Sequence, residues 1–175
     1  MLIPGGVRLL VVALASVTLV GCGTTTTVAG SGTTTTTAAV VKQVLAVEAD
    51  PPGAPGRTLT LMRYTIAGGA KLSPHIHPGV QLASIESGTL SYTVISGTAT
   101  VTRAGGATES VTGPATTKLG PGDAVAENDG MVHFGANETD QPVIILASLL
   151  TEDGRDLAVT VTTNPGSTTP GTTSR

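Results

Sequence analysis

Apolar, β-forming residues recur along the middle of the chain in short segments, separated by clusters of Gly, Pro, Asp and Asn. Segments rich in Val, Ile, Thr and Leu are typical of half-buried strands. They cover residues 40–47, 57–67, 80–85, 89–95, 98–103, 108–111, 116–119, 124–127, 131–134, 143–150 and 157–162. Because no helical period is sustained and no long repeat is visible, the pattern predicts an all-β sandwich or barrel with few helices.

The N-terminal residues carry a processing signal. Arg8 precedes the apolar run of residues 9–20, which is too short to span a bilayer and fits the apolar region of a secretory signal peptide. The run closes with Leu19-Val20-Gly21-Cys22, which resembles the lipobox of bacterial lipoproteins. In that family the chain is cut before the Cys, whose thiol carries diacylglycerol. The alternative is an ordinary signal peptide with an incidental Cys, but the sole Cys of the chain stands where the lipobox requires it.

Composition shifts along the chain predict one domain with two appendages. Residues 1–21 form the signal peptide, and residues 22–37 form a Thr-rich tether without apolar periodicity. Residues 38–163 are enough for one barrel core, and residues 164–175 repeat the tether's composition and are expected to be disordered. Lipidation at Cys22 would place the domain at the extracytoplasmic face of the cell membrane.

Charge and composition exclude several classes of protein. Aromatic residues make up 2% of the chain and the formal net charge is −3, so neither base stacking nor a phosphate-binding surface is available for nucleic acid. A single Cys excludes an internal disulfide framework and a Cys-rich zinc module.

The candidate chemistry lies with three histidines. His75 and His77 are two residues apart, so on a strand they project from the same face. Both imidazoles can then reach one ion at about 2.0–2.1 Å. Gln81 follows a Pro-Gly turn that could bring it back beside them, whereas His133 joins them only if the sheet closes on itself.

Two spacings resemble the motifs of the cupin family. In the first, Gly69 is followed after five residues by His75 and His77, then after three by Gln81 and after six more by Gly88. This matches the first cupin motif, except that Gln81 stands where that family often has a Glu ligand.

The second motif is matched by Gly122, Asn128, Gly130, His133 and Asn137. Asn128 replaces a Pro, which affects only a turn. The resemblance implies a double-stranded β-helix, a jelly-roll-like barrel, with one divalent transition metal held by His75, His77, His133 and Gln81. It also implies a small-molecule substrate or ligand and a homodimer formed through a strand edge.

The metal's identity stays open among Fe, Mn, Zn, Ni and Cu, all of which imidazole ligands accept. With Gln81 in place of a carboxylate, none of the four ligands carries a charge, so the site retains the net charge of +2 of the divalent ion. The bound metal should then be a stronger Lewis acid and favour anionic substrates. The site should bind hard cations less tightly.

Other polar and aromatic residues near the motifs have plainer interpretations. Glu127 is expected to be a solvated carboxylate at the rim, with a general base as the alternative. Arg63 is either a partner for a substrate carboxylate or a charge on the barrel exterior, and Glu86 is a structural residue beside a turn. Tyr64, Tyr92 and Phe134 are expected to be packing residues.

The family resemblance leaves three classes of function open. The first is metal-dependent chemistry on a small organic molecule, either dioxygenase-like oxidation or Lewis-acid lyase or isomerase chemistry. The second is a tethered binding module that captures a ligand without turnover. The third is metal scavenging without an organic ligand. Fold alone does not choose among them.

Overall fold

The computed structural model describes residues 39–162, which form an all-β domain of two antiparallel sheets. Its strands are β1 (Val40–Ala49), β2 (Arg57–Ile66), β3 (His75–Ile76), β4 (Gly79–Ser87), β5 (Leu90–Ser96), β6 (Thr98–Thr102), β7 (Thr108–Thr112), β8 (Ala115–Leu119), β9 (Ala124–Glu127), β10 (Val132–Ala136), β11 (Val143–Glu152) and β12 (Val159–Thr160). No helix occurs in this part of the chain. The predicted all-β, jelly-roll-like fold is confirmed.

The two sheets interleave along the sequence. One has the strand order β1-β2-β11-β4-β9-β6-β7 and the other the order β12-β3-β10-β5-β8. From β2 to β12 consecutive strands alternate between the sheets, except for the β6–β7 hairpin, as in a double-stranded β-helix. This winding brings residues that are far apart along the chain onto facing surfaces.

Alternation along each strand builds the core between the sheets. In β11 every second residue is buried, and in β4 the buried positions alternate with the exposed side chains of Val80 and Leu82. The side chains at every second position of these strands therefore line one continuous interior. The core comprises mainly aliphatic residues with Tyr92 among them.

The predicted segments match the observed strands closely, with two differences. The two-residue strand β3 was not predicted, because Pro74 and Pro78 on either side of it leave no apolar run to read. The last predicted segment, 157–162, shortens to Val159–Thr160.

β1 is an edge strand of the larger sheet. Its side chains are almost all exposed, and Val41, Val44 and Val47 are each about half exposed. Among the described residues nothing pairs with its outer edge. The homodimer formed through a strand edge stays a prediction.

The signal peptide, Cys22, the tether and the tail lie outside the described residues. Among the described residues, no helix has the length and hydropathy needed to cross a membrane.

Candidate metal centre

The three histidines meet inside the barrel. His75 lies in β3, His77 follows that strand directly, and His133 lies in β10. β3 and β10 are antiparallel neighbours in which His133 stands opposite His75. One ring nitrogen from each histidine lies within 4.8 Å of those of the other two. The closure of the barrel that the sequence required for His133 is therefore present.

Each imidazole is oriented by a backbone carbonyl. Nδ1 lies 2.9 Å from Ser73 O in His75, 2.6 Å from Leu157 O in His77 and 3.1 Å from Met131 O in His133. Since a carbonyl only accepts, Nδ1 carries the proton and donates it. A ring protonated at Nδ1 alone presents the lone pair of Nε2 to the cluster, which is the arrangement found in histidines that bind metals.

A glycine allows the next strand to start beside the cluster. Gly79 has φ +143°, and a Cβ there would lie 2.1 Å from Leu150 O. β4 can therefore begin two residues after His77 only with Gly at this position. Gln81 follows on the inward face and is 8% exposed.

Glu127 occupies the centre of the site, which corrects the expectation of a solvated rim carboxylate. It lies in β9 directly opposite Gln81 of β4, and it is 3% exposed. Its Oε2 accepts a hydrogen bond from Gln81 Nε2 at 2.5 Å. The same oxygen lies 3.3 Å from His77 Nε2 and 3.2 Å from His133 Nε2.

Strand alternation in the sequence could have predicted that Glu127 is buried, although the motif spacing does not include it. Val125 is a core residue, and strand alternation puts Glu127, two residues on, on the same inward face. The cross-strand pairing with Gln81 was not readable, because register between strands distant in sequence depends on the closed barrel.

Burial and charge set the protonation states around the cluster. Burial lowers the pKa of His75 to about 4, so that imidazole is neutral. Burial alone would raise the pKa of Glu127, but the neighbouring His133 and His77 imidazoles outweigh it and lower that pKa to about 2. Burial also opposes charge on His133, yet the contact with Glu127 raises the pKa of His133.

The cluster opens into a cavity of about 610 Å³. Its wall is largely apolar, with Met62, Ile66 and Leu119 among its residues. Lys42, Lys71 and Asp156 also line it and are exposed. This volume lies within the range that holds a small organic molecule.

The donor set fits a divalent transition metal. His77 Nε2 and Gln81 Oε1 are buried and make no hydrogen bond with any described residue. Buried lone pairs without a partner are costly, and a cation between the three imidazoles would satisfy that of His77 Nε2. Imidazole with an oxygen donor suits Fe, Mn, Ni, Cu or Zn better than Ca or Mg. The place of Gln81 as a fourth ligand stays a prediction.

The remaining predicted residues fall inside and outside the cavity. Arg63 pairs with Glu86 at 3.1 Å and both are exposed, so Arg63 is a charge of the barrel exterior. Tyr92 belongs to the core and Tyr64 packs against it, as expected of packing residues, and both also line the cavity. Phe134 packs under the ammonium group of Lys71, whose Nζ lies 4.6 Å from the ring centre.

The comparisons with known proteins bear on the fold. No family model matches the chain. No curated protein matches it either. Solved structures do: one is a cupin superfamily protein from Desulfitobacterium hafniense, at 17% identity and a TM-score of 0.46, over 65% of this chain and 78% of that one. Cupins are among its structural neighbours.

Two further neighbours are enzymes. An oxalate oxidase in complex with glycolate matches at 20% identity and a TM-score of 0.49, over 78% of this chain and 62% of that one. A salicylate 1,2-dioxygenase from Pseudaminobacter salicylatoxidans matches at 11% identity and a TM-score of 0.43, over 65% of this chain and 27% of that one. At these identities the likeness concerns the fold alone.

Proposed function

We propose that this chain binds one divalent transition metal through His75, His77 and His133 and acts on a small organic molecule held in the adjoining cavity. The observation that carries the proposal is the convergence of three imidazoles whose Nδ1 atoms all face backbone carbonyls. Surface histidines have no need of such fixed orientation, whereas metal ligands do.

The bound metal would supply a Lewis acid and, with Fe, Mn or Cu, a redox couple. The residues of the chain would do the rest. The apolar wall excludes water from the ligand, and the exposed ammonium groups of Lys42 and Lys71 attract an oxygen-bearing, anionic group to the cavity. Metal-dependent oxidation is the preferred chemistry, with lyase or isomerase chemistry next.

A binding module without turnover is the second candidate, and one observation favours it. Burial raises the pKa of Tyr64 to about 12 and that of Tyr92 further, so both phenols stay protonated near neutral pH. Glu127, already surrounded by Gln81 and the histidines, is the one buried carboxylate among the cavity residues described. Among the described residues, the buried part of the cavity thus offers no separate general base, and Asp156 lies exposed at its edge.

Turnover separates the two candidates. The full chain, purified in detergent without a polyhistidine tag, would be assayed for metal by mass spectrometry and then for oxygen consumption with a panel of small hydroxy and keto acids. We expect oxygen uptake that disappears on chelation and returns with one added metal. Stoichiometric binding of an acid without oxygen uptake or conversion would contradict the enzyme and support the binding module.

We also propose that the domain is tethered to the outer face of the cell membrane by lipid at Cys22, supported by the lipobox-like residues that end the apolar run. A Cys22→Ser chain expressed in a bacterial host should move from the membrane fraction to the soluble fraction or accumulate unprocessed. Immunoblots of the fractions measure this, with Ser31→Ala as a control in the tether. Cys22→Ser chain that is processed and remains membrane-bound would contradict the lipid anchor.

A further inference from the structure

We infer that Glu127 supplies the anionic ligand of the metal centre and that Gln81, at the position of the motif's usual carboxylate, positions it. This inference rests on the proposed metal binding. The carboxylate ligand would then come from β9, the strand that ends just before Asn128 of the second motif, and not from the first motif.

The distances fit a ligand. Two donor atoms that each lie about 2.1 Å from one ion are about 3.0 Å apart at a right angle and about 3.4 Å apart at a tetrahedral angle. Glu127 Oε2 lies 3.3 Å from His77 Nε2 and 3.2 Å from His133 Nε2. The carboxylate oxygen therefore already stands at the spacing that adjacent ligands of one metal would have.

The chemistry of the facing atoms also calls for a cation. Nδ1 of His77 donates to Leu157 O, so in the neutral ring its Nε2 presents a lone pair to the carboxylate. Two acceptors that face each other in a buried site repel unless a proton or a metal ion lies between them. With two such rings, those of His77 and His133, facing one carboxylate, a divalent ion compensates more lone pairs than a proton.

The contact with Gln81 gives that residue a different role. Its Nε2 donates to Glu127 Oε2 at 2.5 Å, and the reverse orientation of the amide would place two acceptors against each other. The bond fixes the carboxylate rotamer through direct cross-strand pairing of the two residues. Gln81 is then a positioning residue that acts through Glu127.

This assignment changes the charge expected at the site. With Glu127 as a ligand, a divalent ion retains one net positive charge instead of the two expected for a site of three histidines and a glutamine. The arguments from Gln81 for an unusually strong Lewis acid and for weak binding of hard cations then no longer apply.

Cobalt(II) is a suitable probe because its visible absorption reports its ligands. The full chain would be stripped with chelator and titrated with Co²⁺, beside the variants Glu127→Gln, Gln81→Leu and the control Glu86→Gln, which lies in the exposed pair with Arg63. Loss of an outer partner of a metal ligand costs about 10–100-fold in affinity. We expect a loss of that size for Gln81→Leu, a loss above about 100-fold for Glu127→Gln, and no change for Glu86→Gln.

The spectra separate a ligand from a residue that only supports one. Gln81→Leu should keep the wild-type absorption bands, whereas Glu127→Gln, whatever Co²⁺ it still binds, should show shifted bands. Wild-type bands and affinity in Glu127→Gln would overturn the inference and leave the histidine site standing. No Co²⁺ binding by the wild-type chain would overturn both. Circular dichroism verifies folding, and Glu127→Asp, with weakened binding and shifted bands expected, replaces Glu127→Gln if that variant does not fold.

Discussion

His75→Ala should remove the bound metal while leaving the domain folded. With one of three converging imidazoles gone, the affinity for a divalent transition metal should fall by more than about 100-fold, beyond the effect of losing an outer partner. Metal per chain after dialysis, measured by mass spectrometry, should drop from near-stoichiometric to background.

His75 is a better probe of metal binding than His77 because the hydrogen bond of its ring is local. Its Nδ1 bonds to Ser73 O two residues away, whereas that of His77 bonds to Leu157 O, 80 residues further along the chain. His75 is also half-buried, while His77 and His133 are each 3% exposed. Loss of metal in His75→Ala with an unchanged unfolding transition would therefore report ligation rather than misfolding.

The control for His75→Ala is Ser84→Ala, a half-buried position whose hydroxyl makes only a long 3.4 Å contact with Asp123 O. It should keep full metal content. Equal metal in wild type and His75→Ala would show that the ion, if present, lies elsewhere.

Asn137→Ala should produce the largest loss of stability without touching the metal centre. The Asn137 side chain is 1% exposed, and its amide donates to Ile66 O at 3.0 Å, Ala67 O at 3.1 Å and Gln141 O at 2.7 Å. Its Oδ1 accepts from the backbone N–H of Thr139 at 3.1 Å. Alanine would remove all of these hydrogen bonds at once, although Gln141 O would keep a bond from the Thr139 hydroxyl at 3.1 Å.

Each buried group left unpaired costs about 1–3 kcal/mol, so we expect the free energy of unfolding to fall by about 3 kcal/mol or more. Urea denaturation followed by circular dichroism measures it. Asn128→Ala is the matched control, since Asn128 is the exposed asparagine of the same motif. If both variants lose the same stability, the network around Asn137 does not stabilise the fold as proposed.

Residue types and spacing predicted the all-β fold, most of its strands and the meeting of the three histidines. β-Forming composition between turn residues located strands such as β9, Ala124–Glu127, at their observed bounds. The two motif spacings brought His75, His77 and His133 together, because the motifs encode which residues face the barrel interior. The role of Asn137, in contrast, could not be derived from its position in a motif, since its partners lie in the loops after β2 and β10.

Glu127 shows why the rest of the site was not predicted. A carboxylate beside a turn residue is usually solvated. Only the pairing of β4 with β9, between segments more than 40 residues apart, buries it against Gln81. The charge of the site could not be predicted, because it depends on the register between two distant strands, which local sequence does not specify.

The bond between His77 Nδ1 and Leu157 O joins the centre to the last strand. β12 pairs with β3, placing Thr160 opposite His75, and Val161 N donates to Pro74 O at 2.9 Å. This strand and Leu157 just before it therefore hold His77 and the segment that carries His75 in place. A truncation that removes residues 157–162 would take these contacts away, so the C-terminal boundary chosen for expression would itself change how tightly the protein holds its ion.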